Sequence, residues 1–264
     1  REEILLAAAQ TIPGAYVPRF YREVVDPAGA APTYVEPTRP DVPAVVEHVR
    51  LASLAESPTI AAPLVPLVEG VHDRVVIEVM RGCPNACRFC QAGCLRLPVR
   101  WRSVDEIVEA AKTAIDNTGY REISLLSLST SDYPHLDELL ARMTAEFTPR
   151  SVSISLPSLR VGSQLQHLPK LTSEVRKSGL TIAAEGGSER IRRAIRKVIT
   201  EEDMLSGVRA AFAAGWKSVK VYFMAGFPGE TDADIAAIFD LCKRLSDTRK
   251  EVDGQRGAIS ASVS

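Results

Sequence analysis

The sequence has no apolar run approaching the roughly 18 residues that a membrane-crossing helix needs, so no membrane partner is expected. It also lacks an excess of either charge: 32 Lys and Arg against 33 Asp and Glu leave a formal net charge of −1. That removes the global basic field that draws proteins to nucleic acid, and leaves nucleic acid an open question as a partner. Cysteine is scarce, five in 264 residues, and four of the five crowd into the twelve residues 83–94. An odd, clustered set of this kind argues against a disulfide framework. The N-terminus opens REEI, without an apolar core leading to a small-residue cleavage site. Unpaired cysteines and no export pattern fit a reducing compartment, so a cytoplasmic location is expected. The remaining composition, 45% hydrophobic and 25% charged, is ordinary for one large domain or two small ones.

The informative feature is RGCPNACRFCQAG, which sets Cys83, Cys87 and Cys90 at C-x3-C-x2-C with Phe89 before the third cysteine. Three closely spaced thiolates suit three irons of a 4Fe–4S cluster and leave the fourth iron open to a small molecule. Clusters otherwise take four Cys ligands. A structural zinc site also wants four ligands. Cys94 would be the fourth if zinc or a closed cluster were bound, and His72 is the nearest upstream histidine. The spacing is not the paired C-x2-C of a zinc knuckle. Cys94 and Cys242 read instead as small buried hydrophobes.

Residues 1–12 read as a helix ending at Pro13-Gly14. Residues 13–70 hold most of the prolines, and a short helix is expected over 43–54. Composition thus divides the chain into an extension or linker, 1–70, possible tail of a preceding domain, and a main domain, 71–264. The chain opens on Arg1 and stops in strand-like AISASVS, and is expected to be an excerpt of a longer protein. From residue 74 the pattern turns regular. Strands are expected at 74–80, 122–129, 151–160, 180–187, 218–226 and 257–264. Helices are expected at 103–119, 135–147, 164–178, 188–215 (one or two) and 232–247. The helix at 103 opens with a capping box, Ser103 and Glu106, and closes at Gly119. Apolar strands alternating with amphipathic helices point to parallel βα units, either an open sheet or part of a barrel. In both, chemistry sits at the C-terminal strand ends, and the cysteine loop directly follows the first strand.

These residues resemble the radical S-adenosylmethionine (SAM) superfamily. The cysteine spacing is shared, as are EGGSERIRRAIRK followed by TEED, and AGFPGET. At finer grain, IPGAYVP, LLSLSTSDY and SLPSLR look like a bacterial subgroup of cobalamin-binding-type radical SAM proteins. No D-x-H-x-x-G signature occurs, and cobalamin is not expected in this chain.

The resemblance spans about residues 74–264 and implies a partial (β/α)6 TIM-type barrel with an N-terminal extension. It also implies an enzyme whose cofactors are a 4Fe–4S cluster, held by Cys83, Cys87 and Cys90, and SAM. In the family, SAM's amino and carboxylate groups chelate the open iron. One electron then breaks the C5′–S bond, giving methionine and a 5′-deoxyadenosyl radical that takes hydrogen from a substrate, here unknown. An electron donor such as flavodoxin or ferredoxin is the implied protein partner. Where many members carry a Gly-Gly-Glu-like stretch for SAM's amino group, this chain has Ser127 and Ser129. Those hydroxyls can accept N–H bonds or belong to the N-cap run of the next helix.

Arg160 is a candidate partner for a carboxylate, and a surface arginine is the alternative. Glu185 suits the ribose hydroxyls, with Gly186 and Gly187 permitting close approach of a ligand. Gly226 and Glu230, in the turn GFPGET, are expected at the adenine pocket, with Glu230 serving structure alone as the other reading. Phe89 joins the cofactor set, and the last strand, around Ser260–Ser264, would lend adenine its backbone groups. The basic run Arg190, Arg192, Arg193, Arg196 and Lys197 reads as a solvated helix face. The competing functions are a non-catalytic Fe–S electron-transfer or redox-sensing protein and a tRNA-modifying member of the superfamily.

Overall fold

A computed structural model describes residues 1–25, 33–68, 70, 73–156 and 180–264. The chain divides into two compact units, Arg1–Ala52 and Ser53–Ser264. The composition change at 70 therefore lies inside the larger unit, and residues 53–68 run irregularly apart from one 3-10 turn, Leu54–Glu56.

In the smaller unit, helix α1 (Glu2–Thr11) is followed by an antiparallel pair that the sequence pattern does not announce, β1 (Tyr21–Val24) and β2 (Tyr34–Pro37). Ala9, Phe20 and Val42 form its small core. The helix expected over 43–54 is absent. Val45 and Val49 are 76% and 61% exposed and only Leu54, at the segment's end, is fully buried, so little packing supports a short helix that is marginal on its own.

The larger unit begins with β3 (Val75–Glu78), the two-residue β4 (Met80–Arg81), α2 (Gln91–Leu95) and β5 (Arg100–Trp101). Then come α3 (Val104–Thr118), β6 (Glu122–Leu126), α4 (Leu136–Phe147) and β7 (Ser153–Ser155). The chain resumes with β8 (Leu180–Glu185), α5 (Glu189–Ala194), α6 (Glu201–Ala213) and β9 (Ser218–Phe223). It closes with α7 (Asp232–Asp247), α8 (Lys250–Asp253) and β10 (Ala258–Val263). The helix expected over 164–178 lies outside the described residues.

The long strands form two parallel sheets, β3–β6–β7 and β8–β9–β10. Six parallel strands interleaved with helices make the partial TIM-type α/β fold that the sequence pattern and its resemblance predict.

Each sheet has its own core. Ile77, Ile123 and Leu125 pack with Ile107, Leu139 and Met143 of α3 and α4. Ile182, Val221 and Phe223 pack with Met204, Val208 and Leu241 of α6 and α7. Local signals fix the ends of α3: Ser103 Oγ accepts the Glu106 N–H at 3.2 Å, and Glu106 returns the bond to the Ser103 N–H at 2.7 Å. At the other end Gly119 takes φ 69°, a left-handed cap that costs glycine little. Arg102, which carries no sequence signal, is buried and donates to the carbonyls of Glu78, Leu54 and Ser57.

Candidate functional site

The cysteine loop leaves the C-terminal end of β3 through β4. Gly82 begins it at φ 94°, with the Arg96 carbonyl only 2.7 Å from where a Cβ would stand. No larger residue fits that approach. Ala86 adopts φ 47°, uncommon outside glycine, and the two positions curl the loop. Cys90 caps α2: its sulfur accepts the Gly93 N–H at 3.3 Å, and its own N–H reaches the Cys87 carbonyl at 3.0 Å. Cys83 accepts the side-chain amide of Asn85, Nδ2 to Sγ, at 3.2 Å. The loop is also tied to the end of α5, where the Arg88 N–H bonds Ile195 O at 2.9 Å and its guanidinium bonds Ala194 O at 2.8 Å.

None of the five cysteines is in a disulfide; Cys87 is buried and Cys83 and Cys90 are half-buried. Cys94 is exposed, not buried as its type suggested, because α2 turns Gly93 inward instead. Cys242 is half-buried and burial raises its thiol pKa. Among the described residues no three Cys, His, Asp or Glu side chains gather for a single metal ion. A cubane has another requirement, since each thiolate takes its own iron. A curled loop of three thiols outside any disulfide, with N–H donors aimed at two of the sulfurs, fits that group.

The loop after β6 folds its hydroxyls inward. Ser127, Ser129, Thr130 and Ser131 are all buried. Ser127 Oγ lies 2.9 Å from Thr130 Oγ1, and Ser129 Oγ donates to Asp132 Oδ2 at 2.6 Å. The same Asp132 oxygen accepts Asn85 Nδ2 at 2.6 Å. The run is not the N-cap of α4: it forms a 3-10 turn over Thr130–Asp132, and His135 stands at the cap without a side-chain bond. Sequence reasoning passed over Asp132, whose only signal was being the one carboxylate in STSD. Arg160 and His72 lie outside the described residues.

Glu185 ends β8 at φ 66°, beside a register shift against β9, and its carbonyl accepts the Met224 N–H at 2.7 Å. Its carboxylate lies 3.6 Å from Lys197 Nζ, both side chains about 15% exposed. The two glycines that follow are required by packing inside the protein. A Cβ on Gly186 would stand 2.7 Å from Ile191 Cγ2, and one on Gly187 2.6 Å from the Asp234 carbonyl.

The basic run is a solvated face only in part: Arg190, Arg193 and Arg196 are exposed, but Arg192 is not. Arg192 is 1% exposed. Its Nη1 donates to Gly186 O at 2.9 Å and Gly187 O at 2.8 Å, and its Nε to Ile199 O at 3.0 Å. Burial pulls its guanidinium pKa below the ordinary value. Arg190 pairs with the enclosed Asp234, which also accepts Ser188 Oγ at 2.5 Å and Thr231 Oγ1 at 2.6 Å. The Arg190 bond, then those of Ser188 and Thr231, hold the Asp234 carboxyl well below the usual carboxylate range.

At the end of β9, Gly226 and Gly229 take φ 93° and 75° with open space at their missing Cβ atoms, so the turn needs their backbone freedom. Glu230 closes the turn by accepting the N–H groups of Gly226 at 2.5 Å and Phe227 at 3.3 Å. The Phe227 ring meets Phe89 of the cysteine loop at 6.4 Å between centroids. Ser264 extends the β9–β10 pairing, its N–H on Phe223 O and its carbonyl under the Ala225 N–H, both at 3.0 Å. Phe89, Gly226 and Glu230 are thus brought together, as are Ser127 and Ser129 with the loop that faces Cys83.

A parallel partial barrel with a triple-cysteine loop after its first strand defines a class, and comparison identifies it. The chain belongs to the radical SAM superfamily, whose model matches residues 77–242. It is an enzyme of the kind whose cofactors are a 4Fe–4S cluster and SAM. It is 33% identical over 186 residues to an uncharacterised protein of Methanocaldococcus jannaschii, covering 70% of this chain and 40% of that one. It is 27% identical over 237 residues to tRNA-2-methylthio-N(6)-dimethylallyladenosine synthase of Carboxydothermus hydrogenoformans, covering 78% of this chain and 50% of the relative. The chain therefore spans two-fifths to half the length of these relatives. Among solved structures, the radical SAM methyltransferase TsrM of Kitasatospora setae, with cobalamin and a [4Fe-4S] cluster bound, is similar in fold. Its TM-score is 0.55 at 15% identity, covering 72% of this chain and 36% of that one.

Proposed function

We propose that Cys83, Cys87 and Cys90 ligate the cluster and that the enzyme cleaves SAM reductively to abstract hydrogen from a substrate. The observation that carries this is the loop itself: three thiols outside any disulfide after the first strand, with the Asn85 and Gly93 N–H groups on two of the sulfurs. When bound, the cluster supplies one electron to the sulfonium of SAM, releasing methionine and a 5′-deoxyadenosyl radical.

The chain's own residues bind and orient. Ser127, Ser129 and Asp132 offer acceptors to SAM's amino group, Asp132 adding a charge opposite to the ammonium. Glu185 takes the ribose hydroxyls, exchanging the long Lys197 contact for them. Arg160 is kept as a carboxylate partner. Phe89 and Phe227 cover the adenine side, with Glu230 fixing the turn that presents Gly226. A site closed to water limits side reactions of a primary radical.

An external one-electron donor of the flavodoxin or ferredoxin type completes the set, and a cytoplasmic setting suits it. The tRNA-modifying relatives make a tRNA base one substrate class to include in assays.

The test is anaerobic reconstitution of the full-length protein with iron and sulfide, then dithionite and SAM. Formation of 5′-deoxyadenosine is expected, and Cys87→Ala should abolish both the cluster and this product. A wild-type protein that loads a cluster whose spectrum ignores SAM, and that makes no deoxyadenosine, refutes the proposal.

A further inference from the structure

We infer that Asn85 is a positioning residue that tunes the cluster: it donates to the Cys83 sulfur, is aimed by Asp132, and raises the reduction potential. The inference rests on the reading of Cys83 as a cluster ligand.

An asparagine amide carries two N–H donors on one nitrogen. Here Nδ2 spends one on Cys83 Sγ at 3.2 Å and the other on Asp132 Oδ2 at 2.6 Å. Turning the amide over would point its carbonyl oxygen at a carboxylate and at a ligating thiolate, two anions. Electrostatics therefore assigns the orientation. Asp132 is itself fixed, because Ser129 donates to the same oxygen at 2.6 Å. The result is a directed chain, Ser129 to Asp132 and Asn85 to both Asp132 and Cys83, which joins the loop after β6 to the cysteine loop across 47 residues of sequence.

An N–H aimed at a ligating sulfur stabilises the reduced cluster, which carries one more electron, over the oxidised one. Hydrogen bonds to the sulfurs are among the established determinants of cluster potential, and partners beyond the ligands orient and tune them. Cys90 has a comparable donor in the Gly93 N–H at 3.3 Å. That donor is backbone and survives substitution; Asn85 is the one that a side-chain change removes.

The test uses the reconstituted full-length protein and two readouts that do not depend on turnover. Asn85→Leu should hold iron and sulfide like the wild type. It should shift the oxidised-to-reduced equilibrium about tenfold toward the oxidised state, a fall in midpoint potential of about 59 mV for one electron. In wild-type protein carrying ¹⁵N only in asparagine side chains, pulsed EPR of the reduced cluster should show a ¹⁵N coupling. A wild-type cluster without that coupling overturns the inference whatever the variant does, and so does a loaded Asn85→Leu at the wild-type potential. Failure of the wild type to bind a cluster at all fails the ligand assignment instead.

Discussion

In the half of the larger unit built on β3, β6 and β7, arginines such as Arg102 hold backbone carbonyls, but the loop after β6 and the sulfurs of Cys83 and Cys90 are met by neutral donors. The Asn85 amide, the Ser127, Ser129 and Thr130 hydroxyls and the Gly93 N–H do this work, with Asp132 the one charge among them. In the half built on β8, β9 and β10 cations take that part: Arg192 on three carbonyls, Arg190 on Asp234, Lys197 opposite Glu185. The difference follows from what each loop turns inward. A loop presenting sulfur and hydroxyl carries its own acceptors and small donors. The Gly186-Gly187 turn presents buried carbonyls and no side chain, so its donors must come from elsewhere, and one guanidinium provides for both glycines and Ile199.

Three substitutions probe that contrast, beyond those at Cys87 and Asn85. The largest stability effect is expected from Arg192→Ala, which leaves three carbonyls buried without a donor. At about 1–3 kcal/mol for an unsatisfied group, and with partial relaxation, a loss of roughly 3 kcal/mol is expected in chemical denaturation. A loss under about 1 kcal/mol would show that the charged clamp is not what holds this half together.

Asp234→Asn should destabilise less, and only in a defined pH range. The folded carboxyl sits below its unfolded value, so its contribution is fully present above about pH 4. It is lost as pH falls through the still lower folded value. Wild type and variant should therefore differ at pH 7 and converge in acid, and a pH-independent gap would contradict the Arg190–Asp234 account.

The smallest change belongs to the loop after β6. Ser129→Ala removes one hydrogen bond of two on Asp132 Oδ2 and should cost about 1 kcal/mol, with Asn85 still in place. A cost matching that of Arg192→Ala would erase the contrast.

Features encoded within a few residues were legible in the sequence. The capping box of α3 needs only Ser103 and Glu106, and α7 occupies the expected Asp232–Asp247 because its cap and apolar spacing are both local. The parallel α/β pattern and the cysteine loop after the first strand belong to the same class. What sequence reasoning missed depends on distant partners. Arg192 looks like its exposed neighbour Arg193 until the carbonyls of Gly186, Gly187 and Ile199 close around it. Asn85 carries no signal of its own until Asp132 meets it from the 3-10 turn after β6. The glycines after Glu185 were expected to admit a ligand, but α5 and α7 approach them instead. The β1–β2 pair has too few residues to show an alternation.

The tie between Arg88 and Ala194 spans 106 residues. A ribosome working at about 5–20 residues per second releases the thiols roughly 5–20 s before it makes the segment that steadies them. For that interval the nascent peptide carries its sulfurs on an unsupported stretch, open to oxidants and stray metals. The cysteine loop therefore reaches its final shape only after the second half of the larger unit has been made.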